Sequence, residues 1–209
     1  GRGKGPGDRP PKRNREPAGG EDHQEDNCDP VANDAILQRG RPLRCAPMFD
    51  DLIAANRRYA AKFHDSGVAG KAAKGLAVLT CIDSRIDPLA MLGLLPGDAK
   101  IIRNAGARVT DDAMRSLILA VNLLGVNRVC VVQHTDCAMA NSEDTIRNRV
   151  REATGTDVSD VVFLAMDNQA AALRADVATI RVHKLIPPTT DVAGFMFDVP
   201  TGELVAAER

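Results

Sequence analysis

Leu76-Ala77-Val78-Leu79-Thr80-Cys81-Ile82-Asp83-Ser84-Arg85 and, about fifty residues later, Arg128-Val129-Cys130-Val131-Val132-Gln133-His134-Thr135-Asp136-Cys137 share one plan. Each is a short apolar, β-branched run that ends in metal-ligating side chains. The runs 76–80 and 128–133 read as strands buried on both faces of a parallel sheet. In open α/β sheets, ligands bind beyond the carboxyl ends of such strands, and both polar tails fall there. Thiolate sulfur and imidazole nitrogen are tetrahedral zinc ligands, and three of them leave a fourth position for water or substrate. Cys81, His134 and Cys137 are the candidate ligands. Asp83 and Arg85 lie two residues apart on an extended segment, so their side chains point the same way and can pair beside the metal.

Around these two segments the pattern alternates between helix and strand. Residues 49–63 read as an amphipathic helix, because Leu52, Ile53, Tyr59, Ala60 and Phe63 recur at three- and four-residue spacing. A short helix is expected near 88–92, with Asp87 as N-cap and Pro88 at its first position. A strand follows at 100–103, then a helix from Thr110 to about Leu124, stopped by Gly125. Further helices are expected at 141–152 and 160–179, and a last strand at 194–199. Strands alternating with helices imply an α/β fold, a mostly parallel central sheet flanked by helices on both faces.

Composition changes sharply near residue 46. Half of the first twenty residues are Gly or Pro, and 21–29 is strongly acidic. Such a segment buries too little apolar surface to offset its ordering entropy, so 1–46 is expected to be a disordered or flexible extension and 47–209 the zinc domain. The net charge of -1 gives no reason to propose nucleic acid or an anionic membrane as partner. No apolar run approaches the roughly 20 residues of a membrane span, and the given N-terminus has no signal-peptide core, so a cytoplasmic protein is expected. The spacing of the five cysteines reads as metal binding or catalysis rather than as a disulfide framework, with Cys81 and Cys137 going to zinc. Cys130 is expected to be a small buried hydrophobe. Cys28 and Cys45 are expected to be free thiols of the extension.

Beyond these ligands, the chain resembles the shorter β-class carbonic anhydrases from about Pro47 to Ala207. The resemblance is carried by Pro96-Gly97-Asp98-Ala99, Ile102-Arg103-Asn104-Ala105-Gly106, Val109-Thr110-Asp111-Asp112, Arg115-Ser116-Leu117 and Gly194-Phe195-Met196-Phe197-Asp198, besides the ligand motifs. It implies a four-stranded parallel core with an added C-terminal edge strand. It also implies a homodimer, or a dimer of dimers, in which the N-terminal helix reaches over the partner. One Zn2+ per subunit and reversible hydration of CO2 to bicarbonate and a proton are implied as well.

In that reaction, zinc lowers the pKa of its water from about 16 toward 7, and the resulting hydroxide attacks CO2. Two thiolates cancel the ion's formal charge, so activity is expected to rise toward alkaline pH. Paired with Arg85, Asp83 stays ionised and accepts the hydroxide's hydrogen. Released, it becomes a fourth metal ligand in a closed state, an interconversion the resemblance implies. Asp136 is read as a turn cap or an acceptor of backbone amides. His64 and His183 are set aside as proton shuttles. Ala138 stands where the family usually has Gly, which bears on turnover or substrate choice. The alternatives are a carbonyl sulfide or carbon disulfide hydrolase on the same fold, or a non-catalytic protein with a closed four-ligand zinc site.

Overall fold

The computed structural model describes residues 49–64, 67 and 69–208. The expected flexible extension and the thiols of Cys28 and Cys45 lie outside the described residues. The chain divides into two compact units, one ending at Ala61 and one running from Lys62. The first contributes α1 (Asp50–Ala60), which carries Asp50 and Asp51 in its first turn and Arg57 and Arg58 in its last, as the helix dipole favours. None of its residues is buried.

The second unit is built on β1 (Leu76–Cys81), α2 (Pro88–Met91), β2 (Ala99–Asn104), α3 (Asp111–Leu123), β3 (Arg128–His134), α4 (Glu143–Thr154), α5 (Gln169–Val182), β4 (Asp191–Phe197) and β5 (Leu204–Glu208). Its sheet has the order β2-β1-β3-β4-β5. The first four strands are parallel, and β5 runs antiparallel to β4 at the edge. β1 is buried at every position, as a central strand covered on both faces should be. On one face, Ala77, Leu79, Val129, Val131 and Val192 pack against Leu117 and Ala120 of α3 and Leu173, Val177 and Ile180 of α5. On the other, Leu76, Val78, Val132 and Phe197 meet Ile86, Leu94, Met139 and Met166, with half-buried Leu89 and Met91 of α2 beside them.

Local signals set most boundaries. Asp87 accepts the N–H groups of Leu89 and Ala90 at the start of α2. Thr110 accepts that of Ala113 at the start of α3, and Ser142 that of Thr145 at the start of α4. Three expectations are corrected. The helix expected at 160–179 begins only after Asn168, whose side chain caps it by accepting the Ala171 N–H. Residues 160–168 are instead drawn out as an irregular segment, because the Glu143 carboxylate takes the N–H groups of Phe163 and Ala165, and Arg108 donates to the Leu164 carbonyl. The strand expected at 194–199 starts three residues earlier, at Asp191. Gly194 lies inside it rather than at its start: a Cβ there would meet Leu173 and Val177 of α5 at 3.0 to 3.1 Å, so the bare backbone is what lets α5 lie down on β4. Cys130 is half-buried rather than buried, with its thiol pushed up chiefly by desolvation.

Candidate metal centre

Cys81 closes β1 and His134 closes β3, the strands that run side by side at the middle of the sheet. Cys137 follows in the turn after β3. The ligand atoms of these three buried residues lie within 4.8 Å of one another, and they are the one such cluster among the described residues. The His134 Nδ1–H donates to the Thr135 carbonyl (2.8 Å), which leaves Nε2 with its lone pair free. That Nε2 is buried and has no hydrogen-bond partner. An orphaned buried acceptor is costly, and one aimed at two thiols fits a metal position. Two sulfurs and an imidazole suit a borderline-soft divalent ion such as Zn2+.

The protons of this cluster are tightly linked. Cys81 is pulled well below the usual thiol range, chiefly by the Cys137 thiol donating to it, and further by His134 and the amides of Asp83 and Gly106. Cys137 is pushed up by that same Cys81 thiolate and by burial. His134 is raised, chiefly by its contact with Cys81. The sequence folds here so as to stabilise a thiolate at Cys81.

The turn after β2 supplies part of that stabilisation. Gly106 has φ +75° and brings its N–H to 3.4 Å from Cys81 Sγ. A Cβ there would meet Met166 and Met139 at 3.0 to 3.1 Å, so only glycine allows this approach. Arg103 donates to the carbonyls of Cys81 (2.9 Å) and Asp83 (2.7 Å), fixing the segment that carries the first motif. Gln169 donates to the His134 carbonyl (2.9 Å) and does the same for the second. Thr135 binds Asp198 and the Val199 amide, tying the His134 turn to the end of β4. Arg103 lies in one of the motifs that carry the resemblance, but its carbonyl contacts, like that of Gln169, have no spacing signature.

Asp83 and Arg85 do face each other. Arg85 Nε and Nη2 donate to the two oxygens of Asp83 at 3.0 and 2.7 Å, and the Arg85 amide adds a third bond at 2.9 Å. These bonds hold the Asp83 carboxyl well below the usual carboxylate range. Its Oδ2 lies 3.9 Å from His134 Nε2, at the edge of the ligand cluster. Asp136 is not a turn cap: its carboxylate pairs with Arg85 Nη1 at 2.7 Å. Ala138 is exposed, and its φ is not in the left-handed region, so its methyl strains nothing there. His183 accepts the Leu185 N–H beyond the C-terminal end of α5, and His64 Nδ1 lies 2.9 Å from the Lys62 carbonyl oxygen, so neither is engaged with the cluster.

A parallel α/β sheet that presents two thiols and an imidazole at the ends of its central strands, with a carboxylate–guanidinium pair beside them, has the donor set of a Cys2His metal site. A family profile described as carbonic anhydrase matches residues 76–157, which include both motifs. Beta-carbonic anhydrase 1 of Mycobacterium tuberculosis is 35% identical over 159 residues, covering 74% of this chain and 94% of that protein. A carbon disulfide hydrolase from an Acidianus species is 53% identical over 153 residues, covering 62% of this chain and 75% of that one. Among solved structures, a carbonic anhydrase from Streptococcus mutans matches with a TM-score of 0.71 at 34% identity, covering 77% of this chain and 97% of that one. The chain belongs to the β-carbonic anhydrase family.

Proposed function

We propose that this protein is a carbonic anhydrase that interconverts CO2 and bicarbonate, with Zn2+ held by Cys81, His134 and Cys137 in the domain formed by residues 47–209. The observation that carries the reading is the buried, unpartnered Nε2 of His134 facing two thiols, with Asp83 docked on Arg85 at the edge of the cluster. When bound, the ion supplies the Lewis acidity that makes hydroxide available near neutral pH.

The remaining work falls to the chain. Asp83, held ionised by Arg85, can only accept a hydrogen, so it orients the attacking oxygen with a lone pair toward the carbon of CO2. Because that carboxyl sits far below neutral pH, it does not titrate between about pH 7 and 9, where a metal-activated water ionises. The hydration rate is therefore expected to rise through that window. Stopped-flow CO2 hydration by zinc-loaded protein measures this, and a flat background rate with zinc bound would reject the reading.

Arg85→Ala is expected to keep its zinc yet lose about 10²-fold in kcat/KM, the order of effect of a positioned proton acceptor. Without Arg85, the Asp83 carboxyl would be free to turn toward the ligand cluster, whose His134 Nε2 lies 3.9 Å from its Oδ2. Full activity in this variant would remove the pair from the mechanism.

A second reading, hydrolysis of carbon disulfide or carbonyl sulfide, is favoured by the 53% identity to the Acidianus enzyme. These substrates are linear and electrophilic at carbon like CO2, so the same residues serve, and sulfide release measured beside CO2 hydration separates the two. We further propose a cytoplasmic homodimer or dimer of dimers. Two thiolate ligands suit a reducing compartment, and the exposed Leu52 and Ile53 of α1 offer an apolar surface for a second copy. No helix among the described residues is long and apolar enough to cross a membrane.

A further inference from the structure

Arg85 is held from both ligand motifs at once. Toward its own segment it donates from Nε and Nη2 to Asp83. Toward the other it donates from Nη1 to the Asp136 carboxylate (2.7 Å) and from Nη2 to the Asp136 carbonyl (3.0 Å). A guanidinium has five N–H donors in a rigid fork, and these four bonds use different ones, so the two aspartates do not compete for a donor. Asp136 itself has φ +56°, in the left-handed region that Asp and Asn enter more readily than most residues. At that backbone setting its carbonyl and its carboxylate both reach Arg85.

We propose that Asp136 is a positioning residue: it anchors Arg85 from the second ligand turn and thereby keeps Asp83 docked and off the metal. Arg85 is 43% exposed on its side chain, and Asp136 is 78% exposed. A long, half-exposed side chain left on one partner regains rotamer freedom that favours release. With the far end of the guanidinium fixed, the fork meets Asp83 already aligned. The anchor also couples the two motifs, since the residue that fixes Arg85 directly precedes the ligand Cys137.

This inference rests on the proposed role of the Asp83–Arg85 pair, and its test does not depend on CO2 being the substrate. Cobalt-loaded protein is titrated with thiocyanate and followed by visible absorption, for the parent chain, Asp136→Asn, Arg85→Ala and the double variant. Asparagine keeps the left-handed backbone and the size of the side chain while removing its charge. Thiocyanate needs the fourth metal position, so an undocked Asp83 competes with it. Asp136→Asn is expected to weaken thiocyanate binding about threefold in the parent background, the order of losing one exposed charge pair while the residue-136 carbonyl still holds Nη2. In the Arg85→Ala background it is expected to change nothing. An equal loss in both backgrounds, an unchanged or tightened affinity in the parent, or loss of cobalt from Asp136→Asn while Arg85→Ala retains it would each overturn the proposal, because Asp136 would then act on the Cys137 turn or compete with Asp83. Failure of CO2 hydration alone would instead strike the functional reading and leave the anchor intact.

Discussion

Cys81→Ser is expected to lose its metal while keeping its fold. Thiolate and imidazole sites contribute roughly 10–16 kcal/mol of zinc binding, so removing one of three protein ligands costs on the order of 4 kcal/mol, about a thousandfold in affinity. Serine occupies nearly the same volume at the end of β1. The ladders of β1 with β2 and β3, and the two apolar clusters on either face of the sheet, contain nothing that needs an ion to form. Zinc content after dialysis against a chelator, read beside a thermal melt by circular dichroism, checks both halves. Zinc retained at parental affinity would take Cys81 out of the ligand set.

Asp176→Ala is expected to be the most damaging substitution outside the metal centre. Asp176 is 5% exposed in the middle of α5, and it takes the Arg108 guanidinium at 2.7 and 3.3 Å. Removing the carboxylate leaves a partly buried arginine without its counter-charge, which costs about 3–5 kcal/mol in such pairs. For a domain of this size that is a fall in melting temperature of roughly 10 °C. The damage reaches the site by a short route. Arg108 also donates to the Leu164 carbonyl (2.6 Å) and exchanges two hydrogen bonds with Asn104, closing the turn that aims Gly106 at the Cys81 sulfur. Thermal unfolding tests the claim, and a melting temperature within a degree or two of the parent would refute it.

The parts of this molecule legible in its sequence are those whose cause is local. β1 and β3 stand out because a run of buried β-branched residues has few other uses, and α3 because Thr110 caps an apolar period that Gly125 ends. The candidate ligands stand out because they close those strands. What stays hidden is fixed by partners far along the chain. The segment 160–168 has helical composition in part, but Glu143 and Arg108 claim its backbone groups, and nothing near residue 160 encodes that. Gly194 looks like the start of a strand until α5 is laid across it. β5 is five residues without a clear alternation, and the family resemblance rather than its own pattern anticipates the edge strand that pairs with β4. Asp136 and Arg85 are 51 residues apart, and Arg108 and Asp176 are 68 apart. Such pairings carry no spacing signature, so a residue like Asp136 reads from sequence as a turn former and from structure as a clamp.

Two of the three candidate ligands sit on neighbouring strands, and the third sits on a turn. Cys81 is held by its pairing with Asn104 of β2 and His134 by its pairing with Phe197 of β4, just past the β1–β3 ladder, while Cys137 hangs from a segment braced by side chains. Exchange of the ion is therefore expected to be lopsided. The strand-borne pair would form the fixed side of the cradle for an ion, and the turn-borne sulfur of Cys137 would be its adjustable latch.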